Sequence, residues 1–306
     1  MPTTPSIRRI VMTGGRGRLA GLIRLHLTAG ENRVTSISRS EGREHLGLEN
    51  LFVNNLLDQT DTLLHLAWST FPVSSERHVG HEWNEDIPLL WRLLNSIVAS
   101  GRADRLHFVF FSSGGAVYGP ALHDHASREE DSCAPIGWYG HAKLAAERII
   151  EEFGRRHGLS YTILRVSNPY GFPGPSHKPQ GIIPFLIKSA LEQIPFNVWG
   201  DGSARKDFLH YSDFLTALDL VVQRRPQGTF NLSYGESHTI SEVISLTEQA
   251  TGQNIAKTFQ PAYTWDVHDS LLDNRKLRGA IDWNPRVPLV EGLHKSASPL
   301  ENPFTS

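Results

Sequence analysis

Tyr139 and Lys143 stand four residues apart in a chain of 306. On a helix that spacing puts both side chains on one face, one turn from each other. An ammonium beside a phenol favours the phenolate and lowers the tyrosine pKa. A phenol tuned toward neutral pH can serve as a general base or acid. About 26 residues earlier, the apolar Phe110-Phe111 leads into the hydroxyl pair Ser112-Ser113 and then Gly114-Gly115-Ala116-Val117-Tyr118-Gly119. Ser112 reads as a structural hydroxyl and Ser113 as the catalytic partner, although a shift of one residue would exchange them. Taken alone, the pair also fits a core tyrosine with a surface lysine, so the surrounding elements must decide.

Residues 7–12 are a short apolar run, followed by Thr13-Gly14-Gly15-Arg16-Gly17-Arg18-Leu19-Ala20 and a helical pattern over 21–28. Strand, glycine turn and helix make a dinucleotide-binding start. Gly14 permits the tight turn, and Gly17 lets the backbone approach a pyrophosphate at the helix N-terminus. Ala20, at the third glycine position, is small enough for helix packing. Gly14, Gly15, Arg16, Gly17, Arg18 and Leu19 are therefore candidate cofactor contacts. Residues 33–38 read as a second strand, whose end should carry an acid for the ribose hydroxyl of NAD. The end reads Ile37-Ser38-Arg39-Ser40 instead. A guanidinium forks onto phosphate oxygens, so Ser38 and Arg39 lean the expected cofactor from NAD toward NADP.

Residues 51–53 read as a third strand and 62–67 as a fourth, which leaves room for only a very short crossover helix. Asn55 is placed near the adenine. His65-Leu66-Ala67-Trp68 ends the fourth strand at the carboxyl edge, where ligands bind in open α/β sheets. Leu66, Ala67 and Trp68 join the cofactor candidates, as do Phe111 and Ser112 at the end of the next strand. Residues 83–100 carry apolar positions at helical spacing. Residues 106–111 form a continuous apolar run expected of a buried parallel strand. Residues 120–135 are a polar, acidic loop expected over the site. A helix over 139–157 and a strand over 161–166 complete the alternation. The fold class this predicts is α/β, a doubly wound parallel Rossmann sheet with a smaller α/β C-terminal substrate domain.

After Val166 the proline- and glycine-rich Ser167-Asn168-Pro169-Tyr170-Gly171-Phe172-Pro173-Gly174-Pro175 marks an excursion from the sheet. Helices are expected over 181–193, 212–222 and 239–250, with strands over 196–199, 207–209 and 229–232. Residues 296–306 read as a loose tail. The expected organisation is a dinucleotide-binding domain over 1–167, with about 207–233 returning to it. The substrate domain takes 168–206 and 234–306.

A net charge of −2 and a pI near 6.7 show no basic excess, which argues against nucleic acid as a partner. The single cysteine, Cys133, excludes an intramolecular disulfide and fits a reducing compartment. The start has no apolar signal core, and no stretch approaches the roughly 18 apolar residues of a membrane span. A cytoplasmic protein without membrane partners is expected. His123-Asp124-His125, and His78 with His81, have metal-ligand spacings but lack further ligands, so no metal is expected.

Together these residues resemble the extended short-chain dehydrogenase/reductase family, and within it the nucleotide-sugar epimerases and dehydratases. The resemblance covers nearly the whole chain. It rests on Thr13-Gly14-Gly15-x-Gly17, His65-Leu66-Ala67, Ser112-Ser113-Gly114-Gly115-Ala116-Val117-Tyr118-Gly119, Tyr139-x-x-x-Lys143 and Asn168-Pro169-Tyr170-Gly171. Gly181-Ile182-Ile183-Pro184, Trp199-Gly200-Asp201-Gly202-Ser203 and Asp282-Trp283-Asn284-Pro285 extend it. The chain looks most like UDP-hexose 4-epimerases.

The resemblance implies an NAD or NADP cofactor, a UDP-hexose as the substrate and a sugar lying over Tyr139. Tyr139 would take the proton of a sugar hydroxyl as hydride leaves the same carbon. Lys143 would lower the tyrosine pKa and bond the cofactor ribose, and Ser113 would shuttle or anchor the proton. Asn168 matches a diphosphate contact. Ser113, Gly114, Tyr139, Asn168, Ile182, Ile183, Arg205, Lys206 and Tyr263 are the candidate substrate contacts. The family also implies a homodimer, paired through the helices over 83–100 and 139–157.

Lys206 stands where the family has an arginine, with Arg205 adjacent, and Tyr263 stands at a second arginine position. Lysine holds a diphosphate as a point charge, without arginine's two parallel bonds. Three functions follow from these residues. One is a 4-epimerase, one an NADPH-dependent 4-keto nucleotide-sugar reductase, and one a dinucleotide-binding protein without catalysis. A dehydratase would want an Asp-Glu pair where Gly114-Gly115 stand.

Overall fold

The computed structural model describes residues 7–53, 56–120, 125–173 and 181–298. Its strands are β1 (Arg9–Thr13), β2 (Arg33–Ser38), β3 (Leu46–Gly47), β4 (Thr62–His65), β5 (His107–Ser113), β6 (Ser160–Val166), β7 (Asn168–Tyr170), β8 (Phe196–Trp199), β9 (Arg205–His210), β10 (Gly228–Leu232), β11 (Ser237–Thr239) and β12 (Lys257–Gln260). The α-helices are α1 (Arg18–Ala29), α2 (Asn50–Val53), α3 (Pro72–Arg77), α4 (Ile87–Ala99), α5 (Gly114–Val117), α6 (Trp138–His157), α7 (Ile182–Glu192), α8 (Tyr211–Arg224), α9 (Ile240–Thr251), α10 (Arg275–Ile281) and α11 (Leu289–Ala297).

Seven strands form one sheet in the order β10-β6-β5-β4-β1-β2-β3. β1 pairs in parallel with β2 and β4, and β4 with β5. The central strands are largely buried, as strands covered on both faces must be: every residue of β4 is buried, Thr62 and His65 included. This is the doubly wound α/β sheet expected from the alternation of elements.

Several boundaries differ from the sequence reading. Residues 51–53 belong to the helix α2, and the third strand is the two-residue β3, held on Ile37 and Ser38. A three-residue apolar run has no periodicity to separate strand from helix. The helical pattern over 83–100 begins in a π-helical turn, Glu82–Asp86, before α4. Ile87 N–H closes that turn on the Glu82 carbonyl, and Pro88 has no N–H to continue an α-helical ladder. The expected tail begins inside a helix, since Ser296 is buried in α11. Residues 299–306 and Asn55 lie outside the described residues.

The chain divides into two compact units. Unit 1 takes Met1–Ser112, Trp138–Leu164 and Leu218–Phe230, and unit 2 takes Ser113–Gly137, Arg165–Ala217 and Asn231–Ser306. The segment returning to the first unit is thus shorter than 207–233, and the loop over 120–135 belongs to the second. That loop is anchored within unit 2: Ser127 N–H donates to the Leu271 carbonyl, and Asn231 Nδ2 donates to the Ser127 carbonyl at 2.8 Å. Such ties are long-range in sequence, so local composition could not reveal them.

The core of unit 1 packs Leu90, Leu93, Leu94 and Ile97 of α4 with Ala146, Ile150 and Phe153 of α6 and with Phe108 and Phe110 of β5. Unit 2 has its own core, including Ile183, Leu186, Phe208, Val243, Ile244 and Leu293.

Candidate active site

The glycine turn is fixed by close approach. Gly14 has φ +75°, and a Cβ there would lie 2.8 Å from the Ala67 nitrogen and 2.9 Å from the Leu66 carbonyl carbon. A Cβ on Gly15 would overlap the Ser36 hydroxyl at 2.0 Å. Gly17 caps α1 without a side-chain bond, and no acidic residue occupies the first turn. The N-terminus of α1 thus carries no acid to oppose an anion, and Arg16 and Arg18 stand beside it, an arrangement that suits a pyrophosphate. The residues present therefore fit a dinucleotide. Replacing Gly14 by Ala should cost about 1–2 kcal/mol in left-handed strain, besides the overlap with Ala67. We expect a lower Tm and loss of bound dinucleotide, measured by thermal melting and by cofactor content after purification.

Thr13 and His65 brace the ends of the strands behind this turn. The Thr13 hydroxyl lies 2.8 Å from His65 Nδ1 and accepts the Ala67 amide at 3.2 Å. Burial pushes His65 down to about 3, with the charge of Lys143 adding to the effect, so the imidazole is neutral. Ser38 donates to the Ser40 carbonyl. Arg39 is exposed beyond β2 and makes no hydrogen bond among the described residues.

On α6, Lys143 lies in the buried stripe with Ala142, Ala146, Glu147 and Ile150. It is 4% exposed, and its Nζ donates to the Phe111 carbonyl at 2.8 Å. The same Nζ sits 3.8 Å from the Trp68 ring centroid, 4.8 Å from that of Phe110 and 5.7 Å from that of Tyr139. Cation–π attraction and one carbonyl thus hold the ammonium below the phenol. The structure accordingly joins Tyr139, Lys143, Phe111 and Trp68 within unit 1.

The electrostatics differ from the sequence expectation. Tyr139 is partly exposed as a residue, yet desolvation of its hydroxyl pushes its pKa above the ordinary tyrosine value. The charges of Asp86 and Glu82 push it further. Lys143 is itself pulled down to about 7 by burial, against the opposing pull of Asp86, Glu147 and Glu82. The expected lowering of the tyrosine by the lysine is therefore outweighed by burial and by two carboxylates that sequence reading did not place there.

Ser112 and Ser113 separate. Ser112 Oγ donates to Glu147 Oε1 at 2.5 Å inside unit 1. Ser113 is the last residue of β5 and the first of its segment in unit 2, and its hydroxyl makes no hydrogen bond among the described residues. Gly114 has no room for a side chain: a Cβ would lie 2.3 Å from Leu272 Cδ1 and 3.2 Å from the Arg165 carbonyl oxygen. An acid of dehydratase type does not fit there.

Within unit 2, Asn168 Nδ2 donates to the Asp207 carbonyl at 2.9 Å. Lys206 Nζ binds Asp266 Oδ1 and Oδ2 at 3.2 and 3.3 Å and also the Val267 carbonyl. Arg205 donates to the Ser237 hydroxyl and carbonyl at 3.1 and 2.7 Å. Tyr263 stacks between Trp199 and Trp265, with centroids 4.4 and 4.5 Å away. Ile182 opens α7, and Ile183 is buried in the core. Among the described residues no group of three or more His, Cys, Asp or Glu could hold a metal ion. None of their helices is long and apolar enough to cross a membrane.

Residues 10–233 match the model of the NAD dependent epimerase/dehydratase family. The chain belongs to this family. It is 28% identical to the UDP-glucose 4-epimerase of Azospirillum brasilense, over 96% of this chain and 92% of that protein. It is 26% identical to the dTDP-4-dehydro-6-deoxyglucose reductase of Escherichia coli, over 76% of this chain and 73% of that protein. The solved UDP-glucose 4-epimerase of Thermotoga maritima, with UDP-glucose, superimposes with a TM-score of 0.83 at 26% identity, covering 94% of this chain and 97% of that one. This epimerase/dehydratase family member is thus an enzyme of the extended short-chain dehydrogenase/reductase type, as its motifs implied.

Sequence reading of this family member missed Glu82, Asp86 and Glu147. Glu82 and Asp86, four apart beside Glu85, look like the solvated start of a helix. Glu147, four after Lys143, looks like a surface ion pair. Their burial is a product of packing, and the one local hint is Pro88 just after the acids.

Proposed function

We propose that the protein is a nucleotide-sugar 4-epimerase of the UDP-hexose type, acting by hydride transfer through a 4-keto intermediate. The observation that carries this reading is the Tyr139–Lys143 couple, locked to the Phe111 carbonyl at the end of β5. The likeness to a UDP-glucose 4-epimerase over nearly the whole chain supports it. A bound nicotinamide dinucleotide supplies the hydride acceptor and donor. Once ionised, Tyr139 takes the proton of the sugar C4 hydroxyl and returns it after the keto sugar has turned over. Lys143 holds positive charge 5.7 Å from the centroid of the phenol ring. Incubation with UDP-glucose, UDP-galactose and their N-acetyl forms should yield the C4 epimer, read by chromatography or NMR. Absence of turnover with every hexose nucleotide would sink the reading.

A second reading is an NADPH-dependent reductase of a 4-keto nucleotide sugar. It is favoured by the phenol held in its protonated form, suited to giving a proton to a carbonyl oxygen. The likeness to a bacterial 4-keto sugar reductase also supports it. Net oxidation of the reduced cofactor with a keto-sugar substrate separates the two.

The NADP preference and the homodimer belong to the same proposal. Arg39, exposed beyond β2, is the guanidinium available to a 2′-phosphate. Trp91 of α4 is 55% exposed and lies edge-on to Phe153 of α6 at 5.4 Å, an apolar surface for a second copy. Native mass spectrometry should show a dimer carrying NADP. A protein loaded with NAD overturns the preference, and a monomer mass overturns the pairing.

A further inference from the structure

In a dinucleotide-binding sheet the adenosine ribose lies where the second strand stops, beside the glycine turn. In unit 1 that corner is tightly built. The Gly15 N–H donates to the Ile37 carbonyl at 3.0 Å, which ties the turn to the end of β2. His45 Nδ1 lies 3.0 Å from the Ser36 hydroxyl, and a Cβ on Gly15 would sit 2.8 Å from that nitrogen. Residues 42–45 close on themselves, with the Gly42 N–H on the His45 carbonyl at 2.9 Å and the His45 N–H on the Gly42 carbonyl at 3.2 Å. His45 thus holds the loop after β2 against the turn.

Arg16 spans the same corner from the other side. Its Nη2 donates to the Glu41 carbonyl at 3.3 Å, and a Cβ on Gly42 would lie 3.4 Å from that nitrogen. The guanidinium therefore reaches from the glycine turn to the loop that follows β2. A guanidinium has several N–H donors, and this one bond leaves others for a ligand. The acids of the loop are turned to other partners. Glu41 Oε1 accepts Asn50 Nδ2 at 2.9 Å, and Glu44 Oε2 accepts the Arg24 guanidinium at 2.7 Å. Ser38, at the position of the ribose-binding acid, gives its hydroxyl proton to the Ser40 carbonyl. What this corner offers a ribose is positive charge: Arg16 from the turn and Arg39 from the strand end, both exposed.

We propose that Arg16 is a specificity-determining residue for the cofactor, binding the 2′-phosphate of NADP together with Arg39. The assignment rests on the NADP preference proposed above. It moves the second phosphate contact from Ser38, whose hydroxyl is already bonded, to the glycine turn. It also leaves the pyrophosphate to the N-terminus of α1. Two guanidiniums can fork onto the charged oxygens of one phosphate. A bare 2′-hydroxyl carries no charge for them to meet, so NAD gains nothing comparable.

The test uses the purified full chain and measures its affinity for adenosine 2′,5′-bisphosphate and adenosine 5′-monophosphate by calorimetry, with NADP and NAD alongside. The two adenosine probes differ only in the 2′-phosphate, and neither depends on turnover of a sugar nucleotide. Wild type should prefer the bisphosphate and NADP. In Arg16→Met, which keeps much of the stem and removes the guanidinium, that preference should fall by about tenfold or more, as expected for losing a hydrogen bond to a charged group. Affinity for NAD should stay close to wild type. Arg16→Lys keeps the charge without the fork and should fall between the two. Arg33→Met makes the same charge change at the opposite end of β2 and should leave the preference intact.

A 2′-phosphate preference that persists unchanged in Arg16→Met overturns the proposal and leaves the NADP reading standing. Equal weakening of NAD and NADP in that variant also overturns it, because Arg16 then serves the pyrophosphate. An equal loss of preference in Arg33→Met overturns it as well, by showing an effect of net charge alone. Wild type with no 2′-phosphate preference overturns the NADP reading and this assignment together. Should Arg16→Met fail to fold, Arg16→Lys decides by the same measure.

Discussion

Tyr139→Phe should lower turnover by about two to four orders of magnitude, the usual contribution of a positioned acid–base group, while dinucleotide affinity stays close to wild type. The substitution removes one oxygen and keeps the ring. The seat of Lys143 on Trp68, Phe110 and the Phe111 carbonyl does not depend on the phenol hydroxyl. The glycine turn that fits the pyrophosphate lies on other elements, between β1 and α1. The measurement is steady-state kcat beside a fluorescence titration of the cofactor. Full activity in the variant would refute the role given to Tyr139. Loss of cofactor binding along with activity would point to collapse of the site instead.

Lys143→Met should be costly in a different way. The side chain is nearly isosteric along its stem, so packing against Trp68 is largely kept. What disappears is the buried ammonium, which leaves Asp86, Glu82 and Glu147 with less counter-charge. Removing one partner of a buried charged group typically destabilises by about 3–5 kcal/mol, and a fall of that size should appear in denaturant unfolding.

The sign of its pH dependence follows from the carboxylates. Asp86 is already raised above its ordinary value by burial, with Ser69, Lys143 and Arg39 opposing. Without the ammonium it rises further. A carboxyl whose folded pKa is raised contributes stability that is present at low pH and lost as pH rises through that value. The deficit of the variant should therefore widen as pH climbs above the ordinary aspartate range. A constant deficit over that climb would show that lost packing, not uncompensated charge, is responsible.

The legible parts of this protein are those with local signatures. The β1–α1 turn was readable because Gly14 must adopt φ +75° against the Ala67 backbone, and only glycine does so freely. The helix α6 was readable from its apolar period, and the parallel sheet from its run of buried strands. Residues 51–53 were misread because three apolar residues carry no period, and β3 is a strand only through its pairing with β2. Ser113–Gly137 groups with unit 2, as in the tie of Asn231 to the Ser127 carbonyl, through contacts distant in sequence that no local pattern encodes.

By itself, the sequence determined that Tyr139 and Lys143 share one face of α6. Tyr139 and Lys143 are one helical turn apart whatever surrounds them, and strand-turn-helix geometry is a property of adjacent residues. Tertiary structure alone decided which groups bias their protonation. Glu82 and Asp86 have the composition of a solvated turn, and only packing carries them out of water and close to the couple. Desolvation and Coulomb forces depend on distance through space, which adjacent residues do not encode.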